Sequence, residues 1–317
     1  MDLRQLTVLV AVADHGSFSA AADALSTVQS NVSAHVARLE RELGCALVDR
    51  RAGRLTEEGE AVVARARRVS GELEALTGDL SALRQEVVGT ARLGLIATTA
   101  RWLVPRLLRL AAERHPRLRL EAVEGNTTVL EPLLASGRLD LAVLNAATGV
   151  GDLVLTPLFD EDLVLVVAAS DPLADAGPLE PAALAHLDLL LPLQGTAFRN
   201  ELDAVLAPLG VTLQPRTELD GVGLLASLTF EGLGPAILPA TAVPRYLRGD
   251  WRLVQVKGMP RRRIGVAVRR WGMPSAATRA VLALLDELVS EGPSLPEGLH
   301  PVRQPPRPQA GDRAPRR

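Results

Sequence analysis

The stretch from Gly16 to Arg50, GSFSAAADALSTVQSNVSAHVARLERELGCALVDR, leaves this chain little freedom in how it folds locally. Phe18, Ala21, Ala22 and Leu25 fall at i, i+3, i+4 and i+7; Val32, Val36, Leu39 and Leu43 fall at i, i+4, i+7 and i+11. These spacings predict two short helices, each with one apolar stripe, joined by a tight turn. Opposite its stripe the second helix carries Ser30, Ser33, Ala34, Ala37, Arg38 and Arg41. Small residues let a helix backbone approach base edges, hydroxyls meet bases or phosphates, and arginine pairs bidentately with guanine, so such a face can enter a DNA major groove. On a lone helix the same face would be read as ordinary solvated surface. The residues around it decide otherwise.

Gly16-Ser17-Phe18, Ala21-Ala22, Leu25, Gln29-Ser30, Ser33, Leu39-Glu40, Leu43-Gly44, Leu47, Arg50, Leu55-Thr56 and Gly59 stand at fixed spacing. In these positions the chain resembles the winged helix-turn-helix of LysR-type transcriptional regulators. The resemblance implies DNA contact by Gln29, Ser30, Ser33, Ala34 and Arg38 from the recognition helix, with Ser17, Arg50, Arg51 and Arg54 on the DNA backbone. Three positions depart from the family pattern. Val28 replaces the hydroxyl residue that caps the recognition helix, leaving Thr27 as the expected substitute. Val48 replaces a phenylalanine, and the segment Arg51-Ala52-Gly53-Arg54 is about two residues short of the family's wing.

The formal charge of −2 over 317 residues gives this reading no help. Residues 1–68 carry nine arginines against nine aspartates and glutamates, so any attraction for phosphate must come from placement: Arg38, Arg41, Arg50, Arg51 and Arg54 cluster, whereas Glu57, Glu58 and Glu60 belong to the next helix. Affinity per copy is then modest, which favours a multivalent binder. No basic and then apolar leader opens the chain, and runs such as Leu163 to Ala169 are strand-sized, so a cytoplasmic protein without a membrane span is expected. The single Cys45 excludes an intramolecular disulfide, and five scattered histidines give no metal-ligand spacing; neither metal nor cofactor is expected.

Taken in order, Asp2 caps a first helix with the stripe Leu3, Leu6, Val10 and Ala13, and three helices with a short hairpin make a winged helix-turn-helix over residues 1–57. Val62, Ala66, Val69, Leu73, Leu76, Leu80, Leu83 and Val87 then alternate in steps of four and three, a heptad seam that predicts a linker helix over 58–88, about 39 Å long, pairing two copies of the chain. From residue 89 to 292 the texture alternates. Strands are expected at Ala91 to Ala97, Leu118 to Glu124, Leu139 to Leu144, Leu163 to Ala169, Leu187 to Leu191, Pro235 to Leu238 and Arg263 to Val268. Helices are expected at Trp102 to Glu113, Thr128 to Ala135, Phe198 to Ala207, Val222 to Phe230 and Ser275 to Ser290. The overall class is α+β, ending in an α/β domain with mostly parallel sheets in two lobes. A looser family likeness through His115-Pro116, Asp171-Pro172-Leu173 and Gly232-Leu233-Gly234 implies an effector domain like periplasmic solute-binding proteins, with chain crossings near 161–164 and 266–270, and implies a tetramer. Residues 293–317, with seven prolines and five arginines, read as a disordered tail.

An enzyme is not expected. Gly221-Val222-Gly223-Leu224-Leu225-Ala226 matches a dinucleotide fingerprint, but the following strand ends Leu238-Pro239-Ala240 with no acid for the ribose hydroxyls. A small-molecule binding protein with no DNA-binding role is the alternative to a regulator. The effector is expected between the lobes, against Thr98 and Thr99, Thr127 and Thr128, Thr196 and Val222, where hydroxyl-rich turns open helices. Helix N-termini prefer negative charge, which points to an organic acid.

Overall fold

The computed structural model describes residues 1–82, 86–145, 152–243, 249–290 and 295–302. Asp2 caps α1 (Leu3–His15) through a capping box, its carboxylate accepting from Gln5 N at 2.8 Å while the Gln5 side chain accepts from Asp2 N at 2.9 Å. Ser17 caps α2 (Phe18–Ala24), accepting from Ala20 N at 3.1 Å. Val28 leaves α3 (Gln29–Leu43) without a side-chain cap. Thr27 does not substitute, because its hydroxyl accepts from the Asn31 side chain at 3.2 Å instead of from a backbone N–H. Val32, Val36 and Leu39 are buried as their spacing requires, whereas Leu43, on the last turn, is 39% exposed. Gly44, at φ 74°, ends the helix in the left-handed region, and the chain turns into a hairpin of β1 (Val48–Asp49) and β2 (Arg54–Leu55).

The linker helix α4 (Glu57–Ala82) begins against this domain. Gly59 packs so closely that a Cβ there would lie 1.9 Å from Leu47 O. Val63 and Ala66 join the core of α1 to α3. Farther along, Val69, Leu73, Leu76 and Leu80 are 41, 47, 60 and 59% exposed, so this chain alone leaves the seam uncovered. The seam is shorter than its heptads suggest: Glu86 to Val88 are outside the helix, and Leu83 lies outside the described residues.

The remaining elements are β3 (Gly89–Leu95), α5 (Ala97–Arg114), β4 (Leu118–Glu124), α6 (Thr127–Ala135), β5 (Leu141–Asn145), β6 (Leu153–Glu161), β7 (Leu163–Ala168), β8 (Asp188–Pro192), α7 (Ala197–Leu206), β9 (Gln214–Leu219), α8 (Val222–Phe230), β10 (Ala236–Pro239), β11 (Trp251–Val254), β12 (Arg262–Arg269), α9 (Ala276–Ser290) and β13 (Leu299–Pro301). Lobe I is a six-stranded sheet in the order β13-β6-β12-β5-β3-β4, its core formed with α5, α6 and α9. Lobe II contains the sheet β10-β7-β11 and the parallel pair β8-β9, with α7 and α8 against them.

Several expectations change here. The sheets are mixed and not mostly parallel: β3 runs parallel to β4 and β5, but β12 is antiparallel to β5 and β6, and β7 to β10 and β11. The outward crossing comes between Glu161 and Leu163, as expected. The return lies between Val254 and Arg262, earlier than 266–270, because the whole of β12 already belongs to lobe I. Residues 293–317 are not wholly a loose tail. Leu299 is buried and β13 extends the sheet beside β6, while residues 303–317 lie outside the described part.

Candidate DNA-binding surface and interlobe site

Gln29, Ser30, Ala34 and Arg38 stand exposed on α3, with Ser33 half-buried among them. Arg50 gathers this surface. Its Nη1 donates to Ser33 Oγ at 3.3 Å, its Nη2 meets Glu40 at 3.3 Å, and its guanidinium lies 5.6 Å from the centre of the Phe18 ring, next to Ser17. Arg51 and Arg54 are exposed on the hairpin. Asp49 Oδ1 accepts from Ala52 N at 3.0 Å and Arg51 N at 2.9 Å; these bonds hold its carboxyl below the ordinary 3.8 and fix the hairpin tip. Arg50 thus ties the hairpin to Ser33 of α3 and to the start of α2. Sequence reasoning missed the role of Glu40, whose Oε1 accepts from Leu47 N at 2.9 Å and Val48 N at 3.3 Å and so sets the hairpin against α3. Cys45 is half-buried in this domain.

In the effector domain the two crossing strands meet at a buried ion pair. Arg262, the first residue of β12, faces Glu161, the last of β6, with Nε to Oε2 at 2.7 Å and side chains 4% and 0% exposed. The other Glu161 oxygen accepts from Thr241 N at 2.7 Å and from its hydroxyl at 2.5 Å. Arg262 Nη2 donates to Thr98 Oγ1 of α5 at 2.9 Å, Nη1 lies 3.8 Å from Glu201 of α7, and the guanidinium is 5.6 Å from the centre of the Phe198 ring. Glu201 also takes a hydrogen bond from Asn145 at the end of β5. Burial is the largest influence on Glu201 and raises its carboxyl above the ordinary 4.5, outweighing Arg262. One cation therefore joins a lobe I helix, a lobe II helix and both crossings.

Thr98 and Thr99 lie inside the first turn of α5, not in a turn ahead of it, because Ala97 already starts the helix and Ile96 is its N-cap. Both are buried. Thr99 Oγ1 and, one turn on, Trp102 Nε1 are buried without a hydrogen-bond partner. Thr196 caps α7, accepting from Arg199 N at 3.4 Å, which brings Phe198 and Glu201 to Arg262. Val222 opens α8, where Gly223 lies against Arg101 of α5. Thr127 and Thr128 stand apart. Asn126 caps α6, Thr128 is exposed and donates to Asn126 Oδ1 at 2.7 Å, and among the described residues no hydrogen bond links either threonine to the Arg262 group. Sequence reasoning missed Arg262, Glu161, Glu201 and Thr241. The available signal was a charge at the end of a strand-like run, Glu161 and Arg262 alike.

Comparison with known proteins agrees with this architecture. Residues 3–60 match the model of the bacterial regulatory helix-turn-helix protein, lysR family, and residues 84–290 match the LysR substrate binding domain. A probable hydrogen peroxide-inducible genes activator of Streptomyces viridosporus is 36% identical over 297 residues, covering 92% of this chain and 95% of that one. The DNA-binding transcriptional dual regulator OxyR of Escherichia coli strain K12 is 30% identical over 273 residues, covering 85% and 90%. A full-length variant of OxyR from Pseudomonas aeruginosa superposes with a TM-score of 0.76 at 26% identity over 91% of this chain and 94% of that one. Full-length CbnR in complex with its target DNA shares the fold, with a TM-score of 0.64 at 24% identity over 92% and 99%. The chain belongs to the LysR family of bacterial helix-turn-helix transcriptional regulators.

Proposed function

We propose that this regulator binds its operator through α3 and the β1-β2 hairpin and that its DNA affinity or geometry answers to a small organic acid held between the lobes. On DNA, Gln29, Ser30, Ser33, Ala34 and Arg38 read or line the groove, and Ser17, Arg50, Arg51 and Arg54 take phosphates. A gel-shift titration of Ser33→Glu on the DNA upstream of the chain's own gene tests this. A carboxylate in the groove should abolish binding with the fold intact by circular dichroism, and unchanged affinity removes α3 as the recognition helix. Two copies pair through the exposed half of α4, and a tetramer is the assembly the family resemblance implies. A DNA regulator of this kind works in the cytoplasm.

The effector reading rests on the Arg262 group: a buried guanidinium, a neighbouring carboxyl raised by burial, and the orphan hydroxyl of Thr99 at the start of α5. An acid bound there finds a cation, the Glu201 carboxyl whose charged form burial disfavours, and donors at a helix N-terminus. Thermal shifts with a panel of organic acids and their amides, on wild type and Thr99→Val, test the assignment; equal stabilisation of both proteins by every ligand rejects it. The relatives' names make peroxide a second reading. Residues 89–292 contain no cysteine, so oxidation of a thiol in the effector domain is not open to this chain, and the only thiol is Cys45. DNA binding by Cys45→Ser with and without hydrogen peroxide separates the two. A peroxide response that persists in this thiol-free protein favours peroxide as a direct ligand over the organic acid.

A further inference from the structure

A cavity lies away from the interlobe site, where α4 passes over the edge of lobe I. It measures about 590 Å³, within the usual range for small-molecule pockets. One wall is the linker helix, with Arg65, Arg68 and Val69; the other is the end of β12 and the turn after it, with Arg269, Trp271 and Met273. The helix is held in place on either side. Asp79 accepts from Arg279 at 2.9 Å and from Ala276 N at 3.1 Å, Glu74 meets Arg92 at 3.3 Å, and Asp14 of α1 meets Arg67 at 2.5 Å.

The charges on these walls are not matched. Arg92 is taken up by Glu74, Glu121 and Asp140, and Arg269 donates to the backbone oxygens of Leu134 and Leu139 with Asp140 at 3.9 Å. Among the described residues, no carboxylate comes within 4.0 Å of Arg65 or Arg68, and Arg68 Nε is buried without a hydrogen-bond partner. Arg68 runs past Gly137 and lines the same cavity as Arg269, near enough for the two guanidinium charges to act on each other. Burial depresses Arg269, and Arg68 adds to this, as two cations crowded together should. Asp140 and, more weakly, Glu72, which line the same cavity, oppose this lowering of Arg269. Trp271 and Met273, 68% and 77% exposed, add an apolar rim.

The geometry points to a second ligand site in this cavity, taking a small organic anion whose carboxylate sits between Arg68 and Arg269 and whose flat apolar body lies against Trp271 and Met273. Such a ligand touches both the helix that leaves the DNA-binding domain and lobe I. It therefore biases the angle between them without entering the interlobe site.

Titration calorimetry of the full chain with naphthalene-2-carboxylate, and with naphthalene-2-carboxamide as the uncharged control, tests the site. Saturable binding of the carboxylate is expected, weakened at least about tenfold in Arg68→Met, the loss of one charge-assisted hydrogen bond, and retained within about threefold in Arg68→Lys. Thr99→Val should bind as wild type does. No saturable binding, equal binding of the carboxamide, or an unchanged Arg68→Met overturns the inference. Weakening in Thr99→Val alone overturns it too, because it places the probe between the lobes and leaves that reading standing.

Discussion

Replacing Arg262 with methionine tests whether the buried ion pair holds the two lobes in register. Methionine keeps most of the stem volume, so packing changes little. What is lost is the Nε contact to Glu161 at 2.7 Å, the donor to Thr98 at 2.9 Å and the charge facing Glu201 at 3.8 Å. Glu161 keeps its two bonds from Thr241 but is left as a carboxylate with 0% exposure and no cation. Removing one partner of a buried pair costs about 3–5 kcal/mol, and the surviving Thr241 bonds argue for the lower end. For a domain of this size, about 3 kcal/mol corresponds to a fall in Tm of roughly 6–12 °C. Differential scanning calorimetry at pH 7 measures it. The double variant Arg262→Met with Glu161→Gln removes the stranded charge and should recover at least half the loss, a coupling that independent sites do not show. A fall below about 2 °C, or no recovery in the double variant, refutes the claim that electrostatics rather than packing dominates here.

Leu76→Asp places a charge in the uncovered seam of α4 and should shift the sedimentation of the chain towards monomer, at a cost of several kcal/mol to association; sedimentation unchanged from wild type rules the seam out as an interface. Glu201 is an acid raised in the fold, so its protonated form is favoured there, and its contribution to stability declines as pH rises from about 4.5 to its folded value. Glu201→Gln should therefore gain on wild type as pH rises through that window in paired urea titrations, and a difference independent of pH removes the assignment. Gly59→Ala drives a Cβ to within 1.9 Å of Leu47 O and should destabilise the DNA-binding domain by about 1–3 kcal/mol in chemical denaturation, a cost a free helix surface would not show.

The elements whose apolar spacing is local were legible in the sequence. The stripes of α1, α2 and α3 needed only a period of 3.6, and β4, β7 and α8 stood out as runs of one texture. Elements without an apolar signature were not. β9, Gln214–Leu219, is exposed along most of its length, and β6, Leu153–Glu161, carries Pro157 and Asp160 and is recognisable only from its partners β12 and β13. The interlobe group fails for a related reason. Glu161 and Arg262 are 101 residues apart, and no local pattern says that two chain crossings bring them into register. The hydroxyl-rich turns were read as ligand-facing because helix N-termini carry free donors. Folding puts Thr98 against Arg262 and leaves Thr128 on the surface, a division made by tertiary packing.

The charge count of the DNA-binding domain obscures how its charges are used. Nine acids against nine arginines over residues 1–68 suggests no attraction for phosphate. Yet most of the acids are engaged inside the domain. Asp2 caps α1, Glu42 meets the N-terminal amine, Asp14 is paired with Arg67, Glu40 accepts from Leu47 and Val48, and Asp49 accepts from the hairpin tip. Glu57, Glu58 and Glu60 sit in the first turn of α4, where the helix dipole favours them. The outer side of α3 and the hairpin keep Arg38, Arg41, Arg51 and Arg54 exposed, with Arg50 shared between Ser33 and Glu40. Over the roughly 8–10 Å that salt allows a charge to act, it is this local excess that a phosphate meets and not the neutral sum. A few phosphate contacts per copy would still give a shallow salt dependence and weak binding, which the pairing proposed for α4 would multiply into a useful one.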